Sequence, residues 1–457
     1  VAKKAKTRWV CTACGATTSG WFGKCPSCDG WNTIEEETVR TQATDRVVLS
    51  EGGREGRAVP SSQATAQSES MPRLGTSITE LDRVLGGGLV PGSVTLLGGA
   101  PGIGKSTLLL QACAGLARGG HTVLYASGEE SVAQVASRAQ RLDAAHDALL
   151  LLAETRSEAI LDATTAASPG VVVVDSIQTV YSADQDGLPG NVSQIRAVTA
   201  QLVSHAKSRG VPVVIVGHVT KDGQLAGPRL LEHMVDAVLS FEGDEERATR
   251  LLRATKNRFG STQELGVFEM SGEGLRQIPN PSEAFLSERP EGAVGSCVTA
   301  TLEGSRPLLL EVQALLGPSP GGSPRRTCVG ADQARVAMLL AVLDRHADLF
   351  VLDQDVFVNV AGGMRLSEPA ADLAVLLAIA SSFRRKPLPG TTVALGEVGL
   401  TGELRRVPRF EARLQEAARL GFTRVVAPRL KKAPKIAGLE LLEASTVAEA
   451  VEAAFDD

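Results

Sequence analysis

The stretch Val94-Thr95-Leu96-Leu97-Gly98-Gly99-Ala100-Pro101-Gly102-Ile103-Gly104-Lys105-Ser106-Thr107 decides the fold. Its apolar start reads as a buried strand, and the apolar run after Ser106 reads as a helix. Between them, Gly99 to Thr107 satisfies the GxxxxGKS/T pattern in full. Strand, glycine-rich loop and helix in that order let backbone N–H groups close on a β-phosphate, with the helix N-terminus adding partial positive charge. Gly99, Ala100, Pro101, Gly102, Ile103 and Gly104 would form this cradle. Lys105 would bridge the β- and γ-phosphates, Ser106 would ligate Mg2+, and Thr107 completes the pattern. ATP and Mg2+ are the expected ligands.

Outward from the loop, three more apolar runs follow: TVLYASG, VVVVDSI and VPVVIVG. Helical stretches separate them, which is the pattern of a parallel sheet with helices packed on it. Asp175 ends the VVVV run and is the expected carboxylate of the Mg2+ shell. Glu129 and Glu130 lie just past YASG, at the strand edge where ligands sit in open sheets. Glu129 is the expected general base for the attacking water, with helix N-cap electrostatics the alternative for both residues. Ser176 can add a hydrogen bond. His218 closes the fourth run and is the candidate sensor of the γ-phosphate. Residues 182–193 and 220–229, the latter with Lys221 and Arg229, are loops that would line a DNA path or cover the nucleotide.

Near the N-terminus, Cys11-x2-Cys14 and Cys25-x2-Cys28 present four thiolates at a spacing suited to tetrahedral Zn2+. So short a module has no core of its own, and metal binding would supply its folding energy. Trp21 and Trp31 would pack on the outer face of the knuckle, or stack on a base or a partner. DNA contact, partner docking and a brake on the ATPase all remain open for this module.

The chain has 457 residues, 43% hydrophobic and 22% charged, as expected of several folded domains rather than a disordered chain. Forty-seven basic against 52 acidic residues give a net charge of -5, so there is no general basic field to coat nucleic acid, although local basic tracks remain possible. No apolar run is long enough to span a membrane, and the start VAKKAKTRWVC lacks the apolar segment of a secretory leader. A cytoplasmic location is expected. Composition divides the chain into a zinc finger at 1–34, a polar linker at 35–70, an ATPase domain at 71–280 and a second α/β domain at 281–457.

The four-cysteine knuckle, the run GGAPGIGKST and the pentad Lys256-Asn257-Arg258-Phe259-Gly260 together resemble the bacterial RadA (Sms) family of DNA repair proteins, over nearly the whole chain. The resemblance implies a RecA-like P-loop ATPase core, related to hexameric helicases. It also implies a hexameric ring on single-stranded and branched DNA, RecA recombinase as partner, and branch migration of recombination intermediates. Lys256 would reach a neighbouring subunit's nucleotide, and Arg258 would be the matching positive charge or a DNA contact. A simple ion pair within the chain is the bland alternative for these two. The rival to a translocating motor is an ATP-gated loader or scaffold for recombination proteins.

Residues 281–457 resemble the proteolytic domain of Lon. The match puts Ala370 at the nucleophile's position and Glu411 at the lysine's, so a fold without peptidase chemistry is expected. Ser367 is nearby but out of register. Arg325, Arg326, Arg384, Arg385, Lys386, Arg405 and Arg406 form basic clusters that would bind duplex DNA if they shared a surface, and are otherwise ordinary solvated charge.

Overall fold

Side chains alternate between the faces of a strand, and the central strands use this to build two cores at once. Val171, Val173, Val214 and Val216 point into one, while Val172, Val174, Val213 and Ile215 point into the other. A run buried on both faces reads as continuously apolar, which is why VVVV appears where an amphipathic strand would alternate. Each such valine contributes roughly 1.5–3 kcal/mol by burial. The computed structural model describes residues 6–11, 16–27, 29–39, 72–218, 230–243, 248–319, 323–366, 368–432 and 434–456. The chain forms two units, Val1–Pro279 and Asn280–Asp457.

The first unit begins with a small antiparallel sheet of β1 (Lys6–Cys11), β2 (Thr17–Thr18) and β3 (Ile34–Val39), in the order β2-β1-β3. Strand β3 runs past residue 34, where the zinc finger was expected to give way to linker. Its pairing with β1, from Cys11 opposite Ile34 to Lys6 opposite Val39, is made by the backbone, which apolar periodicity does not report. The rest of the expected linker, from residue 40 to residue 70, lies outside the described residues.

The helix α1 (Thr79–Leu85) precedes the large sheet. The strands are β4 (Val94–Gly99), β5 (Val123–Ser127), β6 (Leu149–Ala153), β7 (Val171–Asp175), β8 (Val213–His218), β9 (Ala237–Gly243), β10 (Thr249–Asn257), β11 (Leu265–Ser271) and β12 (Gly274–Gln277). They run in the order β12-β11-β10-β9-β4-β8-β7-β5-β6. From β9 to β6 all neighbours are parallel, and β10 to β12 continue the sheet antiparallel. The helices here are α2 (Lys105–Arg118), α3 (Val132–Arg141), α4 (Ser157–Ala167), α5 (Val192–Arg209) and α6 (Leu230–Met234). Residues of α1, α2 and α3 enter the first core, and residues of α4, α5 and α6 the second.

The second unit carries α7 (Pro281–Leu286), α8 (Gln333–His346), α9 (Asp372–Arg384), α10 (Phe410–Arg419) and α11 (Val447–Phe455). Its strands are β13 (Ser296–Glu303), β14 (Arg306–Pro318), β15 (Arg326–Val329), β16 (Gln354–Val360), β17 (Thr392–Ala394), β18 (Glu397–Val398), β19 (Leu404–Arg405), β20 (Arg424–Pro428) and β21 (Glu440–Ala444). Seven of them form a mixed sheet in the order β15-β16-β14-β13-β17-β20-β21, and β18 pairs with β19. The core around α8, α9 and α11 and the core around α10 cover its two faces.

Candidate nucleotide site and zinc ribbon

Strand β4 delivers the phosphate loop to the carboxyl edge of the sheet, the ligand edge of open α/β folds. Two of its glycines are dictated by space and dihedral angle. A Cβ on Gly99 would lie 2.7 Å from the Phe241 carbonyl oxygen of β9. Gly104, at φ +111°, caps α2 in a conformation that side chains rarely adopt, and a Cβ there would meet Met270. The loop is fastened from the antiparallel extension, where buried Arg250 donates from Nε to the Ile103 carbonyl at 3.2 Å.

Lys105 is buried, and its Nζ donates to the carbonyls of Gly99 at 2.8 Å and Ala100 at 2.9 Å. Burial lowers the ammonium's pKa, while the carboxylates of Asp175 and Glu129 pull it back up. Asp175 and Glu129 thus lie within electrostatic reach of Lys105. Asp175, at the end of β7, is held by the Tyr125 hydroxyl of β5, which donates to its Oδ2 at 2.5 Å. Burial raises the Tyr125 pKa well above its ordinary value, and Asp175 raises it further, so the phenol keeps its proton.

Glu129 and Glu130 separate cleanly. The Ser176 hydroxyl donates to Glu129 Oε1, which keeps Glu129 beside Asp175. Glu130 instead pairs with Arg138 of α3, and its N–H donates to Ser127 Oγ at 3.0 Å. Glu129 is thus the carboxylate that faces the loop lysine. His218 ends β8 opposite Gly99, but its side chain lies outside the described residues, as do residues 219–229 with Thr220, Lys221 and Arg229.

Residues 182–193, expected to form a loop that lines a DNA path or covers the nucleotide, are tethered. Buried Gln194 accepts from Ser182 N–H at 2.8 Å and donates to the carbonyls of Ser182, Gln185 and Gly187. Leu188 stands out from this tethered loop, 79% exposed.

Lys256 and Arg258 occupy the other end of the sheet from their own phosphate loop. Gly99 is level with Phe241, whereas Lys256 is level with Val238 and Asn257 with Ala237. Lys256 Nζ donates to the carbonyls of Glu232 at 2.6 Å and Val235 at 2.7 Å. Burial and the neighbouring Arg258 charge lower its pKa, against the opposing pull of Asp236 and Glu232. Arg258 pairs with Asp236 Oδ1 at 3.0 Å, while Asp236 Oδ2 accepts the Val94 N–H. Val94 is the first residue of β4, and at about 3.3 Å per residue it lies roughly 16 Å from Gly99.

In the ribbon, Cys11 and Cys25 are buried side by side with Ile34, a core too small to hold the fold. The Ser27 N–H points at Cys25 Sγ at 3.5 Å, and the sulfur-rich donor set of this small module fits a zinc site. Cys14 and Cys28 lie outside the described residues. Packing against the cysteines falls to Trp9 rather than to Trp21 and Trp31, which are 59% and 72% exposed. Lys24 pairs with Asp29 at 2.6 Å.

In the second unit, Ala370 is buried, and Glu411 is exposed on α10. The side chain that α10 sends towards the Ala370 segment is Arg413, two residues beyond Glu411. Fully buried, it grips Glu368 with two bonds of 2.6 and 2.7 Å and also donates to the carbonyls of Pro408 and Ala300. A guanidinium does not give up its proton, so it supplies no general base. Ser367 lies outside the described residues.

The basic clusters are largely consumed by local pairing. Arg325 clamps Asp355, Arg326 caps the carbonyls of Gln354 and Leu352, Arg384 pairs with Glu452, Lys386 caps the Phe455 carbonyl and Arg405 meets Glu403. Arg385 and Arg406 are exposed.

A doubly wound parallel sheet with a lysine-bearing phosphate loop and an aspartate at the next-but-one strand defines a RecA-like P-loop ATPase. A family profile described as an AAA domain matches residues 60–224, and one described as a rubredoxin metal binding domain matches residues 9–36. These matches support ATP and zinc as the ligands of the two modules. The chain is 50% identical to the DNA repair protein RadA of Bacillus subtilis, over 98% of each chain. It is 49% identical to the DNA repair protein RadA of Pseudomonas aeruginosa, covering 99% of this chain and 100% of that one. The chain belongs to the RadA family of DNA repair proteins. Among solved structures, that of the RadB recombinase is 23% identical over 45% of this chain and 99% of its own, with a TM-score of 0.36. No described helix is long and apolar enough to cross a membrane.

Proposed function

We propose that this chain is a DNA-dependent ATPase that moves along single-stranded DNA and promotes branch migration of recombination intermediates. It works as a cytoplasmic ring, a hexamer by family resemblance, with RecA recombinase as its partner. The observation that carries the reading is the distance of Lys256 and Arg258 from their own phosphate loop. Too far to serve the nucleotide of their own subunit, they suit the nucleotide of an adjacent one, so turnover becomes a property of the ring.

Within each site Lys105 offsets phosphate charge, Glu129 accepts a proton from the attacking water, and Ser176 keeps Glu129 aligned. Ser106 and Asp175 would hold Mg2+, which when bound neutralises charge on the β- and γ-phosphate oxygens. Lys256, with Arg258 beside it, stabilises charge on the departing γ-phosphoryl from across the border. DNA passes the tethered loop at 182–193, and the second unit serves as a scaffold rather than a peptidase.

Steady-state ATP hydrolysis with and without single-stranded DNA tests the reading, with Lys105→Ala as the blank, followed by unwinding of a forked duplex. Stimulation by DNA together with directional unwinding is expected. Stimulation without unwinding would favour the loader or scaffold alternative, to which the exposed Trp21 and Trp31 lend a docking surface. An unstimulated rate would contradict the motor.

A further inference from the structure

One hydroxyl links the two groups that would carry the nucleotide's cation, and the activity described so far makes no use of it. Tyr125 lies on β5 opposite Val173, two residues before Ser127, which is opposite Asp175. Its ring is buried in the core beneath α2 and α3, 1% exposed. The hydroxyl donates to Asp175 Oδ2 at 2.5 Å, and the Ser106 side chain of the phosphate loop hydrogen-bonds to it. A phenylalanine would fill the same apolar space, so the oxygen is an added polar group in a dry core, retained only with partners. Its partners are the serine at the start of α2 and the aspartate at the end of β7, two strands away from β4.

We propose that Tyr125 is a positioning residue for the divalent cation of the nucleotide. Its hydroxyl fixes the rotation of the Asp175 carboxylate and the Ser106 side chain before the cation arrives. Outer groups that orient metal-binding side chains typically govern metal affinity by about 10–100-fold. The role rests on the ATP site proposed above and refines it.

The test uses the full-length chain and Tyr125→Phe, with Mn2+ as the probe. Free Mn2+ is followed by electron paramagnetic resonance in the presence of a slowly hydrolysed ATP analogue, and analogue binding is measured separately in EDTA. Tyr125→Phe is expected to weaken Mn2+ retention about tenfold, at the low end of that range, and to leave cation-free binding unchanged. The Mg2+ concentration for half-maximal hydrolysis should rise by the same factor. In an Asp175→Asn background the tyrosine change should add little, because the two act together. Unchanged Mn2+ retention in a folded Tyr125→Phe protein would overturn the inference alone, as would an equal loss of cation-free binding, which would mark general damage to the site. Failure of the unaltered chain to retain Mn2+ with nucleotide would overturn the ATP site as well.

Discussion

Arg258 and Asp236 are joined by a 3.0 Å ion pair, and the same aspartate accepts the N–H of Val94 at the foot of the phosphate-loop strand. The border residue and the strand that carries the nucleotide loop thus share one buried carboxylate. Arg258 is 54% exposed in this pair and Asp236 only 9%, so the two partners differ in what they contribute.

Removing each partner should separate stability from turnover. Asp236→Ala strips a buried backbone donor of its acceptor and should cost about 1–3 kcal/mol. Arg258→Ala removes a mostly solvated charge and should cost no more than ~1 kcal/mol, yet lower ATP hydrolysis. Urea denaturation of both variants beside their ATPase rates checks the contrast.

The two adjacent glutamates should behave differently. Glu129→Gln is expected to lower kcat by about 100- to 10,000-fold with ATP binding retained. Glu130→Gln breaks the pair with Arg138 on α3 and should change kcat less than tenfold, an order-of-magnitude expectation for a surface ion pair. Single-turnover hydrolysis with equilibrium nucleotide binding distinguishes them, and equal losses would contradict the assignment of the base.

The buried pair in the second unit should show itself in acid. Burial pushes the Glu368 carboxyl up, but the hydrogen bonds and charge of Arg413 outweigh it and hold it below the ordinary 4.5. Its contribution to stability is therefore present above pH 4.5 and is lost as pH falls through the lower folded value. Glu368→Gln should flatten that acid-side loss. Arg413→Ala, which leaves the carboxylate uncompensated, should cost about 3–5 kcal/mol at neutral pH. Thermal unfolding across pH 3 to 7, read with the two variants, is the check (this pH range is roughly the span of carboxylate titration).

Zinc removal should unfold the ribbon and spare the ATPase sheet. All three tryptophans, Trp9, Trp21 and Trp31, belong to the ribbon, so intrinsic tryptophan fluorescence reports on it alone. A chelator, or Cys25→Ala, should expose the partly buried Trp9 and shift emission to the red, with little change in far-ultraviolet circular dichroism. No spectral change on chelation would contradict the zinc assignment.

The phosphate loop, the Asp175 strand and the parallel arrangement were legible because each is written in consecutive residues. Buried strands read as apolar runs, and the loop motif has fixed spacing. Tyr125 was not legible, because an aromatic in TVLYASG reads as core filler until the register of β5 against β7 brings its hydroxyl to Asp175. Arg413 escaped for a similar reason: two residues along a helix turn a side chain by more than half a circle, and matching one basic run to another does not settle which residue faces inward. Strand β3 was missed because three consecutive glutamates hide a strand whose pairing is made by backbone. Ser176, by contrast, was legible as a hydrogen-bonding neighbour of Asp175, but its partner Glu129 was not, because the two stand on different strand ends.

The most direct test of a shared site is complementation between subunits. Lys105→Ala chains lack their own phosphate-loop lysine, and Lys256→Ala chains lack the residue proposed to act on the neighbour, so each should hydrolyse little ATP alone. Mixed oligomers, verified by differential tags, contain borders at which an intact loop meets an intact Lys256. Hydrolysis should reappear on mixing and scale with the fraction of such borders. Full activity of Lys256→Ala by itself, or verified mixed oligomers with no recovery, would contradict a nucleotide site completed by the adjacent subunit.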